Sequence, residues 1–269
     1  LHAASGDPEA SIASFNQAIE ALADDPQSEL RLSALHNLAL GLRVAGRTRE
    51  ANEYHRRILE ELDSTGYVGT DLLITQLSFV TSTQWELGEL AATDSLLATY
   101  VRRLESDYGE GAGDVQLTVM RGLSQLRLGA LDSAEVWLER GARDTTAMGR
   151  LVGASWLPAA LTQLYLEQGR LPEARRAAAT LPLGTPTREM NIALFGAGIR
   201  RASGDGEGAW TMLDSALRAT VTSGRPAAYL SHALVSAAEW HLADGDPQAA
   251  DSIAQLAVAA AAIDSLAYL

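Results

Sequence analysis

The sequence predicts an all-α protein, one continuous array of antiparallel helix pairs over residues 1–269, and three observations predict it. Gly6, Gly46, Gly88, Gly129, Gly169, Gly204 and Gly245 are separated by 40, 42, 41, 40, 35 and 41 residues. Five places after each stands a small residue: Ser11, Ala51, Thr93, Ala134, Ala174, Ala209 and Ala250. Nowhere does an apolar–polar alternation meet a hairpin turn, the pattern of a strand pair. Self-similarity at a fixed period marks a repeat architecture.

The elements follow in order. First helices are legible upstream of the glycines at about 29–45, 70–87, 114–128, 155–168, 187–203 and 226–244. A glycine just past a helix end supplies the left-handed backbone that other residues resist. Behind it, Asp7, Asp205 and Asp246 each offer a side chain to cap the next helix, and Pro8 and Pro247 occupy its first turn. Pro172 and Asp132 begin variants of the same device. The small residue lets two antiparallel helices cross closely near their connection. Nine and twelve places after each glycine come Phe15 and Ala18, His55 and Ile58, Leu97 and Tyr100, Leu138 and Gly141, Ala178 and Leu181, Leu213 and Ala216, and Ala254 and Ala257. That spacing keeps one face of every second helix turned to the core. Breaks rich in Gly, Pro, Ser, Thr and Asp separate the pairs, at 23–28, 63–69, 108–113, 144–149, 183–187 and 222–226. Leu1 to Gly6 reads as the last turn of a helix and Leu266 to Leu269 as the start of another. The chain therefore reads as a piece of a larger protein, with uncapped apolar ends that favour self-association.

Composition removes whole classes of chemistry. Acidic residues outnumber basic ones 34 to 21, for a formal charge of −13, and such a surface repels phosphate backbones; no nucleic acid is expected as a partner. All basic residues are Arg, so there is no lysine for a Schiff base or a phosphate loop. Codon bias in a GC-rich bacterial genome accounts for that. With no Cys there is no disulfide, thiolate nucleophile or zinc–cysteine site. No apolar run is long enough for a membrane span, and no cofactor is implied. A cytoplasmic location is the expectation, or a periplasmic or extracellular one if a membrane segment precedes the array.

The units resemble tetratricopeptide repeats. The resemblance rests on Gln168, Gly169, Arg170, Leu171, Pro172, Glu173 and Ala174, on Ser203 to Ala209, and on Leu161 and Tyr165 with Leu35, Leu38, Ala39 and Leu42 in the first helices. Its departures are that most periods are 40–42 in place of 34, that no first helix carries the family's Trp at its fourth position, and that the proline expected after the second helix is displaced or absent in several units. Long periods of this kind resemble repeats in kinesin light chains and in sensor regions of large bacterial signalling proteins. The Asp-Ser pairs at 94–95, 132–133, 214–215 and 251–252 are similar to arrays attached to bacterial serine/threonine kinases.

The resemblance implies an α-solenoid, a right-handed superhelix of six complete pairs. It also implies a non-catalytic scaffold that binds a protein or peptide in a concave groove lined by first helices, as a regulatory region of a bacterial signalling protein. The other reading is a regulatory domain that senses a small molecule and controls an attached effector. Carried over by position, the groove residues are His36, Arg43, Ser78, Ser82, Trp85, Gln116, Trp156, Gln163, Asn191, Arg201, His232 and Glu239. Aromatic rings there would bury area while amides and hydroxyls satisfy a peptide backbone; equally, Trp85 and Trp156 would fill gaps between pairs. Trp137, Trp210 and Trp240 read as packing residues, and His55 as a buried structural imidazole.

No metal site is expected. The five His are scattered, and His232 and His241 lie nine apart on one helix, not the four that would put both on one face. The glycines from Gly204 to Gly208 follow a helix, not the strand a phosphate loop requires, and the repeat turn explains them. No constellation has enzymatic spacing, so the chain is read as not an enzyme.

Overall fold

The computed structural model describes residues 8–23, 28–64, 70–108, 115–143, 156–181, 186–222 and 227–267. Among the described residues there are thirteen α-helices and no strand. They are α1 (Pro8–Ala21), α2 (Glu29–Val44), α3 (Thr48–Ser64), α4 (Thr70–Glu86), α5 (Leu90–Tyr108), α6 (Val115–Arg127), α7 (Leu131–Arg143), α8 (Trp156–Glu167), α9 (Leu171–Ala178), α10 (Pro186–Ala202), α11 (Gly206–Thr222), α12 (Ala227–Ala243) and α13 (Pro247–Ala267). The even-numbered helices α2 to α12 are the six first helices, and each matches its expected span to within one residue. One expectation fails: Leu266 does not begin a new helix but lies in the last turn of α13. The Ala-rich run before it contains no breaker, so the helix continues. Leu1, Gly6, Asp7 and most of the breaks between pairs lie outside the described residues.

The six described turns are one structure. Gly46, Gly88, Gly129, Gly169, Gly204 and Gly245 all have φ between 70° and 85°. In five of them the glycine N–H and the next N–H reach back to two carbonyls of the last helical turn. At Gly169, for example, Gly169 donates to Leu166 at 3.0 Å and Arg170 to Tyr165 at 2.7 Å. These bonds satisfy acceptors that a helix end otherwise leaves open. The next helix starts at once: Asp205 accepts from the Gly208 N–H at 2.9 Å, and Asp246 from the Ala249 N–H at 3.0 Å. Both are the caps the sequence calls for. All seven small residues five places past the glycines are buried.

The chain divides into two compact units, unit 1 ending at Gly129 and unit 2 beginning at Ala130. In unit 1 each helix from α1 to α6 packs on the next, and α4 also packs on α6. Its core is built from large aliphatics: Ile12, Leu38 and Leu42 in one cluster, Leu35, Ile58 and Leu62 in another. In unit 2 the first helices also meet one another, α8 with α10 and α10 with α12. Small residues dominate its core: Ala197, Ala216, Ala233 and Ala237 surround Leu213, with Trp210 and Trp240 packed against them. Two glycines let α10 approach its neighbours. A Cβ on Gly196 would stand 2.9 Å from the Met212 sulfur, and one on Gly198 would stand 3.3 Å from Leu166. No helix among the described residues is long and apolar enough to cross a membrane.

Candidate functional site

Unit 2 holds a groove of about 1240 Å³. Its walls are the three successive first helices α8, α10 and α12, joined on one side by α13. The lining follows one register counted back from the turn glycine. Positions ten, six and three before it give Leu194, Gly198 and Arg201 on α10, and Val235, Glu239 and Leu242 on α12. On α8, positions six and three give Gln163 and Leu166. This spacing places each set on a single helix face.

The groove is mainly apolar and partly open to water: Val235 is 47% exposed and Leu242 is 63% exposed. From α13 it receives Ala250, Ala254 and Ala257, one row of small side chains, with Val258 beside them. The corresponding residues His55, Leu97, Leu138 and Leu213 of other second helices are fully buried, whereas Ala254 is exposed. Leu256 and Val258 are exposed as well, so this end of α13 presents apolar surface.

Three carboxylates line the groove, Glu167, Glu239 and Asp251, and Arg201 is the one cation among the described lining residues. Arg201 is already committed. Its guanidinium donates to both carboxylate oxygens of Asp244, at 3.2 and 2.5 Å, and lies 5.0 Å from the centre of the Trp240 ring. The hydrogen bond from Arg201 holds the Asp244 carboxyl below the usual carboxylate range. Trp240 in turn meets the edge of Trp210, ring centres 5.3 Å apart, and Trp210 lies 4.7 Å from the His241 ring. Trp240 therefore both packs, as the sequence indicates, and lines the groove.

In unit 1 the same register carries different chemistry. His36 and Arg43 on α2, and Ser78, Ser82 and Trp85 on α4, occupy positions ten, six or three before Gly46 and Gly88. Here all but Ser82 tie successive first helices together. Gln76 donates its amide N–H to His36 Nδ1 at 3.2 Å and accepts at its carbonyl from His55 Nδ1 at 3.1 Å. His36 accepts at Nδ1, so its ring is neutral there, while His55 donates from Nδ1. Burial pushes the His55 imidazole down to about 4, and burial lowers His36 too. Phe79 stacks on His55 at 5.0 Å and meets the edge of His36 at 4.7 Å.

The ties continue along α4. Arg43 is ion-paired with Glu86. Gln116 of α6 donates to the Ser78 hydroxyl at 2.5 Å, and the Trp85 indole N–H donates to Ser124 at 3.1 Å. Ser82 donates to the Ser78 carbonyl one turn back on its own helix. Arg127 lies over the Trp85 ring, 4.1 Å from its centre.

The expected groove residues thus fall into two sets. Gln163, Arg201 and Glu239 line one cavity in unit 2, and His36, Arg43, Ser78, Ser82, Trp85 and Gln116 lie along the first-helix seam of unit 1. The side chains of Trp156, Asn191 and His232 lie outside the described residues. Leu166, Leu194, Val235 and Leu242 line the cavity without having been singled out. As leucines and valines on amphipathic helices they read as core, and only their register distinguishes them: Leu194 and Val235 share that of His36 and Ser78, and Leu166 and Leu242 that of Arg43, Trp85 and Arg201. Among the described residues no group of three or more His, Asp or Glu is placed to hold a metal ion.

No protein-family model matches the chain, and no curated protein matches it. Solved structures do. The chain is similar to BtubC (BKLC) from P. vanneervenii, at 18% identity over 81% of this chain and 92% of that one, with a TM-score of 0.61. It is also similar to a tetratricopeptide repeat protein from Parabacteroides merdae, at 20% identity over 95% of this chain and 87% of that one, with a TM-score of 0.61. Identity this low carries the fold alone. The chain shares the tetratricopeptide-like helical-repeat fold of these structures.

Proposed function

We propose that the protein is a non-catalytic scaffold that binds a segment of a partner protein in the groove of α8, α10 and α12. We read it as a regulatory region of a bacterial signalling protein. The observation that carries this reading is the groove itself: three first helices present one register to one cavity, with Val235 and Leu242 exposed at its wall. Apolar side chains left in water at a concave site mark surface that another molecule covers. The rival reading, a small-molecule sensor, would use the same cavity. At about 1240 Å³ it exceeds the roughly 300–1,000 Å³ of small-molecule sites, and its size favours a chain segment. Gln163 and Glu239 are the proposed polar contacts, with Arg201, already paired with Asp244, beside them. We assign Trp85, Arg43 and the rest of the unit 1 set to a secondary contact surface, since most of their hydrogen-bonding groups are already engaged.

The test is a pull-down from cells that express the protein, comparing wild type with Val235→Asp/Leu242→Asp and with Val136→Asp. Val136 is an exposed residue of α7 that does not line the cavity. Loss of the partner from the groove variant alone supports the reading; unaltered recovery with both variants rejects it.

A further inference from the structure

We infer that the partner segment is a basic amphipathic helix, with its apolar face on the groove floor and Arg or Lys side chains meeting Glu167, Glu239 and Asp251. The inference rests on the groove-binding reading above and adds the conformation and charge of what enters.

Conformation follows from the backbone of the incoming chain. An extended segment would bring unpaired N–H and C=O groups onto Leu166, Leu194, Phe195, Val235 and Leu242, which offer them no partner. Each unpaired buried group is costly. The polar side chains within reach are few, and Arg201 is held by Asp244. A helix satisfies its own backbone and presents only side chains. The groove, about 1240 Å³ and partly open to water, has room for a helical segment about 10 Å across. Along α12, Val235 and Leu242 stand a turn to either side of Glu239, so an apolar residue on the visitor can lie against each while a cation meets the carboxylate between them. Gly198 keeps the floor of the groove low, and the Ala250, Ala254 and Ala257 row of α13 lets a backbone come close.

Charge follows from the lining. Three carboxylates face the cavity, and the one lining guanidinium among the described residues is neutralised by Asp244. Glu167 comes from α8, Glu239 from α12 and Asp251 from α13, so the negative charge surrounds the apolar floor. An acidic helix would meet repulsion from three sides, and a basic one attraction. Asp251 already accepts a hydrogen bond from Gln255 at 2.9 Å, which leaves its second oxygen for a visitor.

The experiment uses the full chain and three synthetic helical peptides of about 15 residues, long enough to span the groove. The first has Leu at i, i+3, i+4 and i+7 with Arg on both flanks. The second replaces each Arg by Glu, and the third scrambles the first so that no apolar face remains. Binding is read by fluorescence anisotropy, at low and at high salt. The expected result is that the first peptide binds at least tenfold more tightly than either of the others and weakens as salt rises. Glu239→Arg/Asp251→Arg should reduce its affinity about tenfold and admit the acidic peptide. Leu242→Ser and Gly198→Leu should each weaken it at least tenfold, by removing floor area and by filling it.

If the acidic peptide binds wild type equally well, the charge assignment is wrong while groove binding stands. Equal binding of the scrambled peptide would show surface electrostatics alone and overturn the helix. If no peptide binds, and Val235→Asp/Leu242→Asp still recovers its partner, the groove reading falls as well. A concentration-dependent dimer in sedimentation velocity that Leu242→Ser dissociates would make a second copy of the chain the occupant, and would overturn the inference.

Discussion

The first helices of units 1 and 2 use one register for opposite ends. In unit 1 the positions ten, six and three before the turn glycine hold His36, Leu40 and Arg43 on α2, Ser78, Ser82 and Trp85 on α4, and Val119, Leu123 and Leu126 on α6. Of these, His36, Arg43, Ser78 and Trp85 are bonded from α2 to α4 or from α4 to α6. In unit 2 the same positions hold Leu166, Leu194, Gly198, Val235 and Leu242 together with Gln163, Arg201 and Glu239, and the helices stand around an open cavity. His36, Arg43, Ser78 and Trp85 close the seam on α2 and α4 because each meets a partner on a neighbouring first helix. Apolar side chains cannot form such directional ties, and a glycine leaves space.

The largest effect should separate packed from unpacked apolar side chains. Leu77→Ala in α4, at a fully buried site, is expected to cost about 2–5 kcal/mol. Val235→Ser and Leu242→Ser should each stay within about 0.5 kcal/mol, as surface positions do. Urea unfolding checks this, and a large loss at Leu242 would break the contrast by showing the groove wall to be core.

Next comes pH. Unfolded His55 takes up a proton near the ordinary imidazole value of 6.5, but folded His55 resists until about 4. Its contribution is therefore complete above 6.5 and falls away as pH drops from 6.5 to 4. The full span is roughly 3 kcal/mol. Trp85 is the only tryptophan of unit 1, and in a variant with the other tryptophans changed to Phe it would report this unit's unfolding. His55→Leu should flatten the profile between pH 4 and 6.5. Gln76→Leu should cost about 1–3 kcal/mol at pH 7, since it leaves buried imidazole nitrogens without partners.

A third measurement should find the units alike. Gly88→Ala and Gly204→Ala place a side chain at φ of 73° and 85°, with no atom within 4 Å of the new Cβ. Backbone strain alone then sets the cost, about 1–2 kcal/mol for each. The smallest effects belong to the exposed ion pairs. In double-mutant cycles Arg43–Glu86 and Arg201–Asp244 should each couple by less than about 1 kcal/mol, while Arg201→Gln should still alter groove binding.

Much of this was open to a reader of the residues. The repeated glycine, the small residue five places on and the capping Asp are local devices whose chemistry acts within a few residues, and each appears in the structure as its chemistry requires. The fate of the candidate side chains was less legible. Trp85 and Arg201 occupy one register, yet the Trp85 indole donates to Ser124 on the next first helix, whereas Arg201 turns to Asp244 at the rim of a cavity. Nothing near either residue in the chain announces that partner, which lies about 40 positions away. Leu242 was harder still, because a leucine on an amphipathic helix looks the same whether its face is covered or bare.

By itself the sequence determined the helices, their ends and their pairing, because turn chemistry and amphipathic period are short-range properties of the chain. Tertiary structure alone decided which first-helix face is closed and which is open. That depends on whether a side chain meets a partner one repeat away, and on how near two glycines allow three helices to approach.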